Sequence, residues 1–147
     1  MQRIFLAGFV AMTVAACVPE GQGGSAGGGG GQISISSGGS FSGGHTTTVY
    51  ADDRIEVSTS GPFGEGAQSK VSAGRLGVFA EVSAVIAAEG PAVARAVNPA
   101  SPACEDYGAD TVSASPAING FSSVAATCPD DRVQAFQNRL VAVISGR

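Results

Sequence analysis

The 147-residue chain has no tryptophan, only one histidine and only eight basic residues. Because no cluster of lysine or arginine is present to neutralise phosphates, we expect no nucleic-acid partner. His45 and the few cysteines supply too few ligands for a zinc centre. With no tryptophan and 22 glycines, the chain has to build a modest core from small side chains.

Sequence patterns for catalysis are also absent. There is no G-x-S-x-G, H-E-x-x-H or P-loop pattern. Asp52 and Asp53 are adjacent carboxylates, but neighbouring residues on a strand point to opposite faces and in a turn both usually face water. His45 has no partner nearby in the sequence, so we expect it to be exposed and without a role. The sequence therefore predicts a protein that is not an enzyme and holds neither a cofactor nor a metal.

The N-terminal segment is apolar but short. After one positive charge, residues 4–14 form an apolar run that is too short to span a bilayer. Val14, Ala15 and Ala16 then precede Cys17, an aliphatic residue and two small ones before a cysteine. This pattern resembles the lipobox of bacterial lipoprotein signal peptides. The alternatives are an ordinary secretory signal that lies near a cysteine and a retained hydrophobic helix.

The lipobox resemblance implies a location and a membrane anchor. Residues 1–16 would be a signal peptide that is removed, and Cys17 would carry the lipid, including a palmitate-type chain. In such lipoproteins an Asp after the cysteine favours the inner membrane; Val18 stands there, which implies the outer membrane on its periplasmic side. The mature part has a formal charge of −5, so it offers no polybasic attraction to lipid and the acyl chains alone must anchor it.

Composition divides the mature chain into a tether and one domain. Residues 17–44 contain the lipidated cysteine and a Gly-rich stretch with too few apolar side chains to offset its backbone entropy, so we expect a flexible, disordered linker. An alternative is that residues 32–36, in which isoleucine and polar residues alternate, pair as an edge strand. Residues 45–147 are long enough for one small domain.

The domain is predicted to be α+β, with a small antiparallel sheet in ββαββα order and two helices packed on one of its faces. β-Branched runs and turn residues predict the strands, and apolar stripes with a 3.6-residue period predict the helices. Gly90 and Pro91 should end or kink the first helix, with 92–97 as a short second piece. The predicted elements are strands at 46–51 and 54–60, a helix from 72 to about 90, strands at 111–115 and 122–127, and a helix that begins near 130.

Cys104 and Cys128 are predicted to form a structural disulfide. A lipidated protein lies outside the cytoplasm, where thiols oxidise, and these two cysteines remain when Cys17 is lipidated. A redox pair is disfavoured because there is no CxxC spacing. Between and beside them, residues 105–110 and Asp130 and Asp131 gather carboxylates. A divalent cation site is one interpretation of them, but the spacing does not match a calcium loop, so we expect a solvated acidic turn with Tyr107 packed over the disulfide.

Two hypotheses about function remain. The first is a lipid-anchored envelope protein, without enzymatic activity, that binds another protein or has a structural role. The predicted contact surface consists of Pro62, Phe63, Tyr107 and Asp110, or of exposed sheet edges. The alternative is a periplasmic inhibitor or small-molecule-binding module that uses residues 61–66 or the acidic bend 105–110. A hydrolase is disfavoured because no nucleophile and base are placed together.

Overall fold

The computed structural model describes residues 30–39, 41–97, 104–105 and 107–147. Within these ranges the chain is α+β, as the sequence predicts. The predicted ββαββα order is wrong, because four strands precede the first helix. The elements are β1 (Gln32–Gly39), β2 (Gly43–Tyr50), β3 (Arg54–Ser60), β4 (Gln68–Ala73), α1 (Val78–Ala96), β5 (Asp110–Ile118), β6 (Phe121–Ala126) and α2 (Asp131–Ile144), with a 3-10 turn at Pro62–Gly64 before β4.

The six strands form one antiparallel sheet in the order β4-β3-β2-β1-β5-β6. The first four strands follow one another as a meander, and α1 then leads the chain back to the free edge of β1, where β5 pairs. The first strand therefore lies inside the sheet, between β2 and β5. The two halves of the domain are joined through it.

β1 replaces part of the predicted tether. Ile33 and Ile35 alternate with serines, so both isoleucines point to one face of the sheet, and both are buried. Ile33 lies opposite Val49 on β2 and Ala114 on β5. The prediction that the folded part begins near His45 is wrong, because the sheet begins at Gln32. Residues 17–29 of the predicted tether lie outside the described residues.

The first helix begins later than predicted. Residues 68–73, the last two of which were assigned to the helix, form β4 and pair with β3. Gly77 adopts a left-handed conformation, with φ at 81°, immediately before α1, a conformation that costs glycine little. Leu76, which lies within the predicted helix, precedes α1 and is 91% exposed. Val82 and Ile86 are buried on α1.

Pro91 lies inside α1 and does not end it. A proline has no N–H for the carbonyl four residues earlier, and here that carbonyl belongs to Ala87. The side-chain amide of Asn119 donates to the Ala87 carbonyl at 2.9 Å, which supplies the missing donor from the β5–β6 turn. Gly90 packs so close to Phe121 that a Cβ there would lie 2.9 Å from the ring. The sequence prediction of a break at 90–91 is wrong because tertiary contacts replace the lost bond.

Both helices pack on the same face of the sheet, where they contact β2, β5 and β6. Neither of these helices has the length and hydropathy of a membrane-spanning helix. Phe121 and Phe136 meet edge-to-face at 6.0 Å between ring centroids. At the last pair in the register of β1 and β5, the Gln137 amide donates to the carbonyls of Ser36 and Thr111. The buried apolar residues are Ile33, Ile35, Val49, Val78, Val82, Ile86, Val112, Ala114, Phe121, Val124, Ala126, Val133, Phe136 and Leu140.

The ends of the sheet differ in their loops. One end, here called the loop end, consists of residues 41–42, 61–67 and 107–109. The other end, here called the entry end, consists of residues 30–31, 51–53, 74–77 and 119–120. Gly31 accepts a hydrogen bond from the Ala51 amide, so the first described residues of the chain lie at the entry end.

Candidate functional site

Two phenylalanines are exposed together at the loop end. Phe41 follows β1 and Phe63 lies in the β3–β4 connection, and their side chains are 60% and 69% exposed. Their rings meet edge-to-face with centroids 5.2 Å apart, which is a favourable geometry for aromatic rings. The sequence prediction singled out Phe63 but missed Phe41, whose one signal is an aromatic residue between serines and glycines.

The connection that carries Phe63 is tightly hydrogen-bonded. The Gly61 amide donates to the Glu65 carbonyl at 2.8 Å, and the Glu65 amide donates to the Pro62 carbonyl at 3.1 Å. Phe63 itself has a φ of 55°, in a left-handed region that bulky residues rarely adopt and that costs about 1–3 kcal/mol. The backbone is therefore strained at Phe63, the position at which the loop holds a large apolar side chain in solvent.

A shallow hollow of about 450 Å³ adjoins Phe63 at the loop end. Glycines form most of its floor, so main-chain atoms are accessible there instead of side chains. Isolated exposed apolar residues are common on protein surfaces, whereas here two aromatic rings are exposed together beside accessible backbone. The residues that line the hollow are Gly38, Gly39, Gly44, Ser60, Gly61, Phe63 and Gly64.

The predicted disulfide is confirmed: the sulfur atoms of Cys104 and Cys128 are bonded. The Cys104 amide also donates to the Thr127 carbonyl at 3.0 Å. The disulfide and this hydrogen bond both join the segment before β5 to the segment before α2. The Ala109 amide donates to the Gly38 carbonyl at 3.0 Å. This bond places the disulfide-linked segment beside the end of β1, near the hollow.

Of the two other residues of the predicted contact surface, Tyr107 is half-buried and Asp110 is buried. Asp110 is 7% exposed, and its carboxylate accepts a hydrogen bond from the Tyr107 hydroxyl. Burial and this bond to Asp110 raise the pKa of Tyr107. The Gln134 amide donates to the Tyr107 oxygen at 3.3 Å. The prediction that Asp110 belongs to the contact surface is therefore wrong, whereas Pro62 and Phe63 are exposed.

The carboxylates near the disulfide do not gather into a cation site within the described residues. Asp130 is the N-cap of α2 and accepts from the amides of Arg132 and Val133. Its ion pair with Arg132, at 2.8 Å, and these amide bonds lower the pKa of Asp130 to about 2. Asp106 lies outside the described residues. Among the residues that are described, no three of His, Cys, Asp or Glu lie close enough to share a metal ion.

Asp52 and Asp53 have separate structural roles. The Asp53 carboxylate accepts from the amides of Phe79 and Gly77 at 2.9 and 2.7 Å, so it caps α1 from the β2–β3 turn. Both bonds lower the pKa of Asp53, and the bond from the Phe79 amide contributes most. Asp52 pairs with Arg54 at 2.7 Å. The two carboxylates are not brought together to share a proton, and His45 is exposed, with its Nε2 atom 3.2 Å from the Thr47 hydroxyl.

A polar cluster that the sequence did not indicate lies on the sheet face opposite the helices. The hydroxyls of Tyr50 and Ser69 both donate to the Glu56 carboxylate. Both bonds lower the pKa of Glu56, and the bond from Ser69 contributes most. The Arg54 guanidinium lies over the Tyr50 ring, 4.9 Å from its centroid. The cluster therefore links β2, β3 and β4 through their side chains.

Comparison of the chain with protein-family models finds no match, and comparison with curated proteins finds none either.

Proposed function

We propose that this protein is a lipid-anchored envelope protein, without enzymatic activity, that binds another protein through the loop end of its sheet. The observation that carries the proposal is the exposed pair of Phe41 and Phe63, with Phe63 in a strained, tightly bonded loop. Aromatic side chains that lose their hydration in a partner's pocket dominate many protein interfaces. Internal hydrogen bonds already restrain the loop that carries Phe63, so less conformational entropy remains to be lost on binding.

The position of the proposed anchor supports this arrangement. Cys17 lies outside the described residues, and the described chain starts at Gly30 at the entry end, opposite the phenylalanines. The residues between Cys17 and Gly30 also lie outside the described residues, and their Gly-rich composition predicts a flexible linker. A lipid on Cys17 would therefore attach the domain at its entry end, so the linker would not emerge beside the loop end.

A second function rests on the same loop. A tight loop that displays one apolar side chain is also suited to block the pocket of a target, as a periplasmic inhibitor does. The shallow hollow beside Phe63 is less favourable for the small-molecule version of this alternative, since ligand pockets usually enclose most of their ligand. The inhibitor and the protein-binding module differ in whether the partner loses activity.

The double substitution Phe41→Ser and Phe63→Ser tests the proposal. Both side chains are exposed, so we expect the melting temperature to change little, whereas a partner that copurifies with the unaltered protein from solubilised envelope should be lost. Leu76→Ser is the matched control, because Leu76 is an exposed apolar residue at the entry end. The measurement is quantitative mass spectrometry of the proteins that copurify with each variant.

The control separates binding through the loop end from general hydrophobic adhesion. Loss of the partner in both variants to the same degree would show adhesion and contradict the proposal. Retention of the partner in the double phenylalanine variant would exclude the loop end as the contact. A partner enzyme that is inhibited by the unaltered protein, but not by the double variant, would favour the inhibitor.

A further inference from the structure

The outer edge of the sheet at β4 has no part in the proposed function. All six residues of β4 are exposed, and they pair with β3 without a break in register. The strand contains neither proline nor a bulge, and Lys70 is its one charged residue. Its outward-facing N–H and C=O groups thus form a regular row of donors and acceptors that another strand can pair with.

The opposite edge of the sheet is protected by comparison. α1 packs on β6, and the register between β5 and β6 is irregular between Ser113 and Ile118. Irregular pairing and a covering helix are common ways in which proteins keep an edge strand from pairing with other chains. β4 has neither device, so the two edges are not equivalent.

A shelf lies beside β4 on the side of the sheet that carries the helices. Lys70 pairs with Val57, which pairs with the buried Thr47, so these three side chains share that face. The helices stop short of β3 and β4, and a shallow hollow of about 430 Å³ remains. We call this hollow the β4 shelf; it is lined by Val57, Thr59, Gln68, Ser69, Lys70 and Ser72. It has room for the side chains of an added strand.

The charge on the β4 shelf is uncompensated. Lys70 is the chain's one lysine, and it forms no ion pair within the described residues. The nearest strand carboxylate, Glu56, lies on the opposite face of the sheet, where Tyr50 and Ser69 donate to it. A carboxylate that arrived on an added strand would meet an ammonium group free to pair with it.

We propose that β4 binds an extended segment of another protein, which adds to the sheet as a seventh strand and places an Asp or Glu side chain against Lys70. Main-chain hydrogen bonds supply the affinity in such strand addition, and side chains on alternate positions supply the specificity. A second copy of this chain is a poorer occupant. If β4 paired antiparallel with β4 of a second copy, the two registers that pair the most residues would be centred on Lys70 or on Val71. The two Lys70 side chains would lie directly opposite each other in the first register and diagonally next to each other in the second.

The experiment uses the purified full chain and a displayed library of random linear peptides of about twelve residues, long enough to cover β4. We expect selection of peptides that alternate β-branched residues with Asp or Glu. A synthetic copy of the most enriched peptide should slow amide hydrogen exchange within Gln68–Ala73. Lys70→Glu should weaken its binding by about tenfold, because attraction is replaced by repulsion, and Lys70→Arg should restore it.

Two controls keep this proposal separate from the loop end. Arg95→Glu reverses an exposed charge on α1 and should leave peptide binding unchanged, as should the double phenylalanine variant. Failure to enrich any peptide, equal affinity of the peptide for the Lys70→Glu variant, or slowed exchange confined to residues 61–67 would each overturn the proposal. A concentration-dependent dimer in sedimentation, with slowed exchange in β4 without peptide, would assign the edge to a second copy instead.

Discussion

A chain that begins at Gly44 is expected not to fold. The deletion removes β1, which pairs with β2 on one side and β5 on the other, and it removes the buried Ile33 and Ile35. Burial of each isoleucine contributes about 1.5–3 kcal/mol, and both neighbouring strands lose a hydrogen-bonded partner. Because whole domains are stable by only about 5–15 kcal/mol, we expect the near-ultraviolet circular dichroism and the cooperative thermal transition to be lost.

A chain that begins at Gly30 is the control for this deletion. It retains all six strands of the sheet, and its melting temperature should equal that of a chain that begins at Cys17. Point substitutions divide the effect further: Ile33→Ala should cost about 2–5 kcal/mol in the free energy of unfolding, whereas Ser37→Ala, at an exposed position of the same strand, should cost little. A cooperative transition in the chain that begins at Gly44 would show that β1 is dispensable.

Loss of the disulfide has the second large expected effect. Cys104 and Cys128 are 24 residues apart in the sequence, and closing a loop of that length restricts the unfolded chain by about 3.5 kcal/mol in the chain-entropy estimate. The double substitution Cys104→Ala and Cys128→Ala should therefore lower the free energy of unfolding by about that amount. Denaturant titration of the two proteins under the same conditions measures it.

Partner binding separates a structural disulfide from a functional one. At low temperature, where the double alanine variant is still folded, the variant should bind any partner of the loop end as the unaltered protein does. Reduction of the unaltered protein should reproduce the stability loss, and the variant should not respond to reductant. Peptide mapping under non-reducing conditions that found both thiols free in protein taken from the envelope would contradict a structural bond.

Local signals in the sequence predicted much of this fold. β-Branched runs predicted the β2–β3 hairpin and the strands of the β5–β6 hairpin, and an apolar stripe predicted the second helix. Asn119 and Gly120 both have positive φ, the turn geometry that this pair of residues favours. The disulfide followed from the count of cysteines. The hairpins and the helix depend on residues that are close in sequence. The disulfide depends on the pairing of the two cysteines that remain when Cys17 is lipidated.

The features that the sequence did not predict depend on distant residues. β1 is stable as a strand because β5, about 80 residues later, pairs with it, and its glycine-rich surroundings resemble a linker. β4 has no buried side chain, so its sequence carries no alternating pattern. α1 continues through Pro91, where Asn119, distant in sequence, donates to the Ala87 carbonyl. At the loop end, the meander of β1 to β4 brings Phe41 beside Phe63. Composition alone does not show this proximity.

The mass of the mature N-terminus in protein taken from the cell envelope tests most directly the claim that this is a lipid-anchored protein. The account predicts an N-terminal peptide that begins at Cys17 and carries the added mass of a diacylglyceryl group, with Cys17→Ala protein found in the soluble fraction or as an uncleaved precursor. A mature protein that begins at another residue and carries no acyl mass would contradict it.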